Sequence, residues 1–211
     1  FEAQLMSGAT LFFDTETTGT VAKWGAPISD PTHPDVVQLA AILRDDTTKL
    51  EISTVNVIVK PEGWVITPGA ANVHGIKQEY AEKFGVAIDN AAYLFGNMMS
   101  VADTIVAHNI NFDALIMKRA MWRAGVSEED VKDRFASCQP RCTMLTSVPI
   151  VRVPHKRPRH PADFKWPKLE ECAQYFFKES VVGAHDALVD VRMTIRVYDE
   201  LLKMDAFKEA A

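Results

Sequence analysis

Three short acidic motifs, met in order along 211 residues, set the strongest limit on how this chain folds. The first is FFDTETTG, with Asp14 and Glu16. The second, AHNINFD, ends at Asp113. The third, HDALVD, holds His185 and Asp190. Each motif sits where an apolar run ends or a helical pattern begins, and a layered fold collects such positions along one edge of a sheet. Four carboxylates and one imidazole gathered there can hold two divalent cations and activate a water against a phosphodiester.

Taken singly, each motif has a plain structural reading. Asp14 and Glu16 follow the apolar run LFF, and a strand points residues i and i+2 to one face, so both carboxylates can grip one cation. Asp-x-Glu alone is common at ordinary composition. Gly19 follows and allows close backbone approach. Asp113 comes just after the strand-like TIVAH at 104–108, at the opening of a helix whose positive end favours the ionised form; a helix-entry aspartate is the bland alternative. Asn109 and Asn111 can serve turns in the same loop. His185 and Asp190, five apart, would lie about 140° apart on a straight helix. His185 is therefore expected just ahead of the helix, leaning over the site, with Asp190 projecting from the second turn. The three motifs together carry the inference. Oxygen donors without a cysteine or histidine cluster suit Mg²⁺ or Mn²⁺, two ions, rather than zinc. His185 then fits a general base. The chemistry is that of a metal-dependent nuclease.

The rest of the pattern is α/β. Strands are read at 11–14, 36–43, 53–60 and 104–108, from apolar and β-branched runs. Helices are read at 68–75, closed by Gly75, and at 87–101, 111–124, 168–177 and 186–203, the last with Leu188, Val191, Ile195, Tyr198 and Leu202 at spacings of three and four. Segment 19–35, with two glycines and three prolines, reads as a loop, as does the proline-rich stretch 147–167. Strands first, then strands mixed with helices, suit a layered domain with a mixed sheet.

Composition narrows the class. The length favours one domain, and 47% hydrophobic residues supply a core. A net charge of −5 argues against binding nucleic acid by global charge. Three cysteines are too few for a disulfide framework, so a reducing, cytoplasmic setting is expected. Cys138 and Cys142 with His155 and His160 have irregular spacing for a zinc site. No run approaches the roughly 20 apolar residues of a membrane span, and no leader pattern is read at the start. Residues 1–5, ahead of Met6, are set aside as a non-native addition, leaving 6–211 as the domain.

FDTETTG, HNINFD and HDALVD together resemble the three exonuclease motifs of the DEDDh superfamily, which includes the proofreading subunit of bacterial DNA polymerase III, ribonuclease T and oligoribonuclease. NVHGI (72–76), RCTM (141–144) and KLEECAQYF (168–176) accompany them, so the resemblance spans residues 10–204. It implies a ribonuclease H-like α/β fold, a five-stranded mixed sheet flanked by helices, and hydrolysis from the 3′ end to release nucleoside 5′-monophosphates. By position, Asp14, Glu16 and Asp190 would bind the catalytic metal. Asp14 would also touch the second metal, and Asp113 would hold that one partly through water. His185 would be the base; a histidine five before the last aspartate marks the His subtype. Thr15, Thr17 and His74 would lie near the terminal nucleotide, with Asn109 a further substrate contact. Loops 19–35 and 147–167 exceed the family's usual lengths.

The leading reading is a DNA exonuclease, stand-alone or associated with a DNA polymerase, acting on single-stranded or frayed 3′ ends in the cytoplasm and not at a membrane. The competing readings are an exoribonuclease of the ribonuclease T type, separated by how the 2′-hydroxyl is treated, and a non-catalytic nucleic-acid-binding or polymerase-docking domain. Residues 152–168 carry a net +5, leaving −10 for the remainder. Lys156, Arg157 and Arg159 are the candidate phosphate contacts and Trp166 a candidate stacking surface. The alternative for Trp166 is packing beneath the helix at 168–177.

Overall fold

The computed structural model describes residues 8–157, 159–160 and 163–208. The reading of residues 1–5 as a non-native addition, like the extreme ends of the 6–211 span, lies outside them. Thirteen elements follow in order: β1 (Ala9–Thr17), β2 (Val36–Asp45), β3 (Glu51–Ile58), α1 (Pro68–His74), α2 (Gln78–Phe84), α3 (Ile88–Met99), β4 (Thr104–Ala107), α4 (Ile110–Arg123), α5 (Glu128–Ala136), β5 (Gln139–Cys142), α6 (Thr143–Val151), α7 (Leu169–Phe177) and α8 (Ala187–Lys203).

The strands form one mixed sheet in the order β3-β2-β1-β4-β5. β1 runs antiparallel to β2 and parallel to β4, and β4 runs parallel to β5. The central β1 is buried on both faces, and its alternation assigns each face a partner. Leu11 and Phe13 join Leu39, Ala41, Phe95, Met117 and Met121 in the larger core, beneath α3 and α4. Phe12 faces the other way, with Ala40, Ile42 and Val106, onto Val191 and Tyr198 of α8. Phe12 and Tyr198 meet edge to face at 5.2 Å. α7 packs on the outer side of α8 through Leu169, Cys172, Val197 and Leu201.

Three elements were not legible as such. β5, QPRC, is four residues long, polar and proline-bearing, which an edge strand tolerates. α5 opens at Ser127, whose hydroxyl accepts from Asp130 N at 3.1 Å, with three acids in its first turn. α2 is a seven-residue helix with one buried residue, too short for periodicity to show. The reading of 147–167 as loop also needs correction. α6 carries on through Pro149 to Val151, although that proline has no N–H to offer the carbonyl of Leu145, and the chain leaves the helix only at Arg152, φ 53°.

Loop 19–35 is closed at its base. Thr18 N donates to Asp35 O at 3.0 Å, and Asp35 N to Thr18 Oγ1 at 3.0 Å. The buried Arg119 of α4 pins its far part, donating Nε to Asp35 Oδ1 at 2.8 Å and one terminal nitrogen to the carbonyls of Ile28 and Asp30. Among the described residues, no helix is long and apolar enough to cross a membrane.

Candidate active site

The parallel strands β1 and β4 end at the same side of the sheet, and the acidic motifs converge there. Asp14 and Glu16 share the β1 face that carries Phe12, toward α8. Asp190 comes from the first turn of α8, not the second. Asp113 comes from α4, on the opposite face. Thr15, which points to that face, bridges the two sides: its backbone N–H and its hydroxyl both donate to Asp113 Oδ1, at 3.0 and 2.8 Å. Asp113 is therefore held from β1 and does not cap its own helix, whose N-cap is Asn109.

His185 lies ahead of α8, as expected, in the left-handed region at φ 68°. Asp186 caps the helix, accepting from Leu188 N and Val189 N. His185 N donates to Asp190 Oδ2 at 3.1 Å. Ligating atoms of Glu16, His185 and Asp190 all lie within 4.8 Å of one another. A cavity of about 490 Å³ opens over the group. Its lining includes all four acids, His185, Thr15 and Asn109, and a wall formed by Trp166 and Glu170.

Electrostatics make the cluster costly without a counter-charge. Burial, and then repulsion from Asp113, Asp190, Glu16 and Asp186, raises the Asp14 carboxyl well above its usual range. Glu16 is pushed up to about 8 by burial and by Asp190, Asp113 and Asp186. Asp113 rises to about 7 through burial, although the Thr15 hydrogen bonds oppose it. Asp190 rises to about 6 through burial, opposed by the His185 backbone bond. Among the described residues, no lysine or arginine pairs with any of the four. Buried oxygen donors that repel one another fit divalent cations, which replace the missing positive charge.

A family profile, RNase_T, Exonuclease, matches residues 11–198. The chain belongs to the exonuclease family. This exonuclease domain shares its fold with solved structures. E. coli exonuclease I in complex with a dT13 oligonucleotide superposes with TM-score 0.70 at 20% identity, over 92% of this chain and 41% of that one. The moderately thermophilic exonuclease I of Methylocaldum szegediense gives 0.70 at 22%, over 93% and 40%. The zinc-bound form of the E. coli exonuclease I–ssDNA complex gives 0.68 at 21%, over 94% and 43%. These likenesses establish the ribonuclease H-like fold, and the chain spans about two fifths of the length of those proteins. No curated protein sequence matches the chain.

The remaining candidates are distributed around the exonuclease site. Thr17 donates its hydroxyl to Gly19 O at 2.7 Å and shapes the turn after β1. His74 ends α1, and its Nδ1 accepts from Ile76 N at 3.1 Å. Burial lowers the pKa of its ring; the Thr17 backbone opposes that, and His185 is near enough to add to it. Lys156, Arg157 and Arg159 are exposed on the loop beyond the cavity. Trp166 is 66% exposed, so the alternative that it packs beneath α7 fails.

Sequence reading passed over three residues at the site. Gln38 of β2 accepts from Ala187 N at 3.3 Å and donates to Asn56 at 2.9 Å, seating the turn that carries His185. Glu170 Oε1 stands 4.0 Å from His185 Nε2. His108 ties β4 to the wall beside Trp166. Of these, His108 belongs to AHNINFD and Glu170 to KLEECAQYF, while Gln38 belongs to no motif.

Proposed function

We propose that residues 6–211 act as one divalent-metal-dependent exonuclease domain that removes nucleoside 5′-monophosphates from the 3′ ends of single-stranded or frayed DNA. The observation that carries this is the cluster of Asp14, Glu16, Asp113 and Asp190 around one cavity, where burial and mutual repulsion raise the carboxyls and, among the described residues, no basic side chain neutralises them. Asp14, Glu16 and Asp190 would hold one cation, and Asp14 with Asp113 a second, Mg²⁺ or Mn²⁺. When bound, such ions polarise the scissile phosphate and lower the pKa of water. Thr15 fixes Asp113 in position throughout. His185, near Glu16 and Asp190, would accept the proton of an attacking water. Glu170 Oε1 stands 4.0 Å from its Nε2.

DNA is preferred as substrate because E. coli exonuclease I, of the same fold, is known in complex with dT13 and dA16 oligonucleotides. Asn109, which lines the cavity and spends no side-chain bond on capping α4, would contact the terminal nucleotide with Thr15. Thr17 and His74 would border it. Lys156, Arg157 and Arg159 would follow the phosphate backbone, and Trp166 would meet an unpaired base.

The test is incubation with Mg²⁺ or Mn²⁺ and end-labelled DNA and RNA, single- and double-stranded, with free and blocked 3′ ends. The expected products are 5′-monophosphates from free 3′ ends of unpaired DNA. Excess EDTA and Asp14→Ala each abolish them. Full turnover in EDTA, or rapid loss of 3′-blocked strands, refutes the proposal. Turnover of RNA alone would select the exoribonuclease reading.

A further inference from the structure

We propose that His108 is a positioning residue: it fixes the strap of residues 165–168, and with it the indole of Trp166, against the carboxylate cavity, where an unpaired base of a single-stranded nucleic acid stacks on that ring. The inference rests on the exonuclease reading and adds how the substrate is gripped.

His108 follows the last residue of β4 and precedes Asn109, where α4 begins its run to Asp113. Its Nε2 lies 3.0 Å from the carbonyl of Pro167, and its Nδ1 lies 3.0 Å from Thr143 Oγ1 at the start of α6. A carbonyl only accepts, so Nε2 carries the proton. Nδ1 is then the acceptor, and the Thr143 hydroxyl donates to it in preference to Ala107 O at 3.5 Å. Burial drops the ring's pKa to about 4, which keeps it neutral and in this one tautomer. One side chain therefore joins the end of β4, the start of α6 and the strap.

The strap is held at its other points too. Lys165 N donates to Val153 O at 2.9 Å, Lys165 Nζ meets both carboxylate oxygens of Glu171 at 2.6–2.7 Å, and Lys168 N donates to Glu171 Oε2 at 2.7 Å. Within this fixed backbone Trp166 still leaves 66% of its surface open, and it lines the same cavity as the acids. Folding gains little from an indole left in water. An open aromatic face beside a phosphodiester-cutting site is a ready platform, and because its backbone is already ordered, binding a base costs less entropy.

The experiment compares H108N, H108Q, W166A, W166F and the H108N/W166A pair. Asn reaches Thr143 but not Pro167, whereas the Gln amide nitrogen can occupy the place of Nε2. On single-stranded DNA, H108N and W166A are expected to raise KM about tenfold with kcat changed less than about threefold, the split for lost binding that substrate and transition state share. H108Q should return KM to within about threefold, and the pair should be no worse than W166A alone, because both changes remove one platform. An H108Q as impaired as H108N, an additive pair, or a kcat loss at constant KM would overturn the proposal. Should H108N lose its cooperative melt, W166A against W166F decides: Phe retains a stacking face, and equal KM values overturn the proposal.

A second readout separates this from the parent reading. Fluorescence anisotropy follows binding of a fluorescein-labelled oligothymidylate in EDTA, without turnover. Wild type that binds but never cuts ends the exonuclease reading, while a loss of about tenfold in affinity in H108N still upholds the strap. Wild type that fails to bind the oligonucleotide overturns the strap whatever becomes of turnover.

Discussion

The backbone N–H of His185 donates to Asp190 Oδ2 at 3.1 Å, so the proposed base and the α8 carboxylate are set by one turn. That turn holds His185 at φ 68°, a conformation that costs a non-glycine residue on the order of 1–3 kcal/mol. Replacing the ring then separates catalysis from stability. His185→Ala should keep cation binding and lose about 10²–10⁴ in kcat. His185→Gly should lose the same activity yet unfold at higher denaturant than His185→Ala, by about 1 kcal/mol. Titration calorimetry with Mn²⁺, single-turnover rates and urea melts measure the three quantities. Intact single-turnover chemistry in either variant would remove His185 from the base role.

Without metal, the protein should be more stable in mild acid than in mild alkali. Glu16 near 8, Asp113 near 7 and Asp190 near 6 all lie above the carboxyl values of an unfolded chain. Between about pH 4 and 8 these carboxyls bind more protons in the folded state than in the unfolded one. His108, lowered to about 4, and His74, also lowered, oppose part of that below about pH 6.5. The four raised acids outweigh them, so stability falls as pH rises through the window. Carboxylates held low by partners, such as Glu51 with Arg192, act below it. Denaturation in EDTA should show the decline, and saturating Mg²⁺ should flatten it. Glu16→Gln should stabilise the metal-free form near pH 8, by on the order of 1–3 kcal/mol. Metal-free stability that climbs with pH across the window would contradict the burial of these acids.

Thr15 presents two donors to one oxygen of Asp113. Thr15→Val removes the hydroxyl but keeps shape and the backbone bond. The expected cost is about 1–2 kcal/mol in stability, typical of a buried bond to a carboxylate, with weaker binding of the second Mn²⁺. Thr15→Ser should recover both. Calorimetry that finds two unchanged Mn²⁺ affinities in Thr15→Val would show that Asp113 needs no such hold.

The loop between α6 and α7 has fewer free charges than its composition suggests. Lys165 is committed to Glu171, and Arg159 stands 3.9 Å from Asp163. Lys156 and Arg157 remain exposed. Changing Lys156, Arg157 and Arg159 together to Gln should raise KM and flatten its dependence on salt, with little effect on kcat, as phosphate contacts are lost. A salt slope equal to wild type would mean the loop is a solvated surface and no more.

What could be read in the sequence follows the strength of local pattern. β1, β2, α4 and α8 were legible because long apolar or periodic runs record burial on defined faces. The four acids and His185 were legible because their motifs fix them at element ends. β5 was not, since a short edge strand buries little and needs no apolar code. Nor were Gln38 and Glu170, whose parts depend on contacts across the sheet or between α7 and the turn before α8. Nor was the bond from the Thr15 hydroxyl to Asp113, a relation that only the packing of α4 behind β1 creates.

That pleat also bears on how the protein avoids wrong structures. Asp14 and Phe13 are neighbours that face opposite ways, one toward the acidic cavity and one into the core with Phe95. If β1 slipped by one residue against β2, Asp14 and Glu16 would turn under α3 and α4, and Phe13 would turn toward the acidic cavity. The mispaired sheet would bury two unpaired carboxylates in hydrocarbon. The residues proposed for catalysis would therefore also act as a proofreading device for strand register while the domain folds.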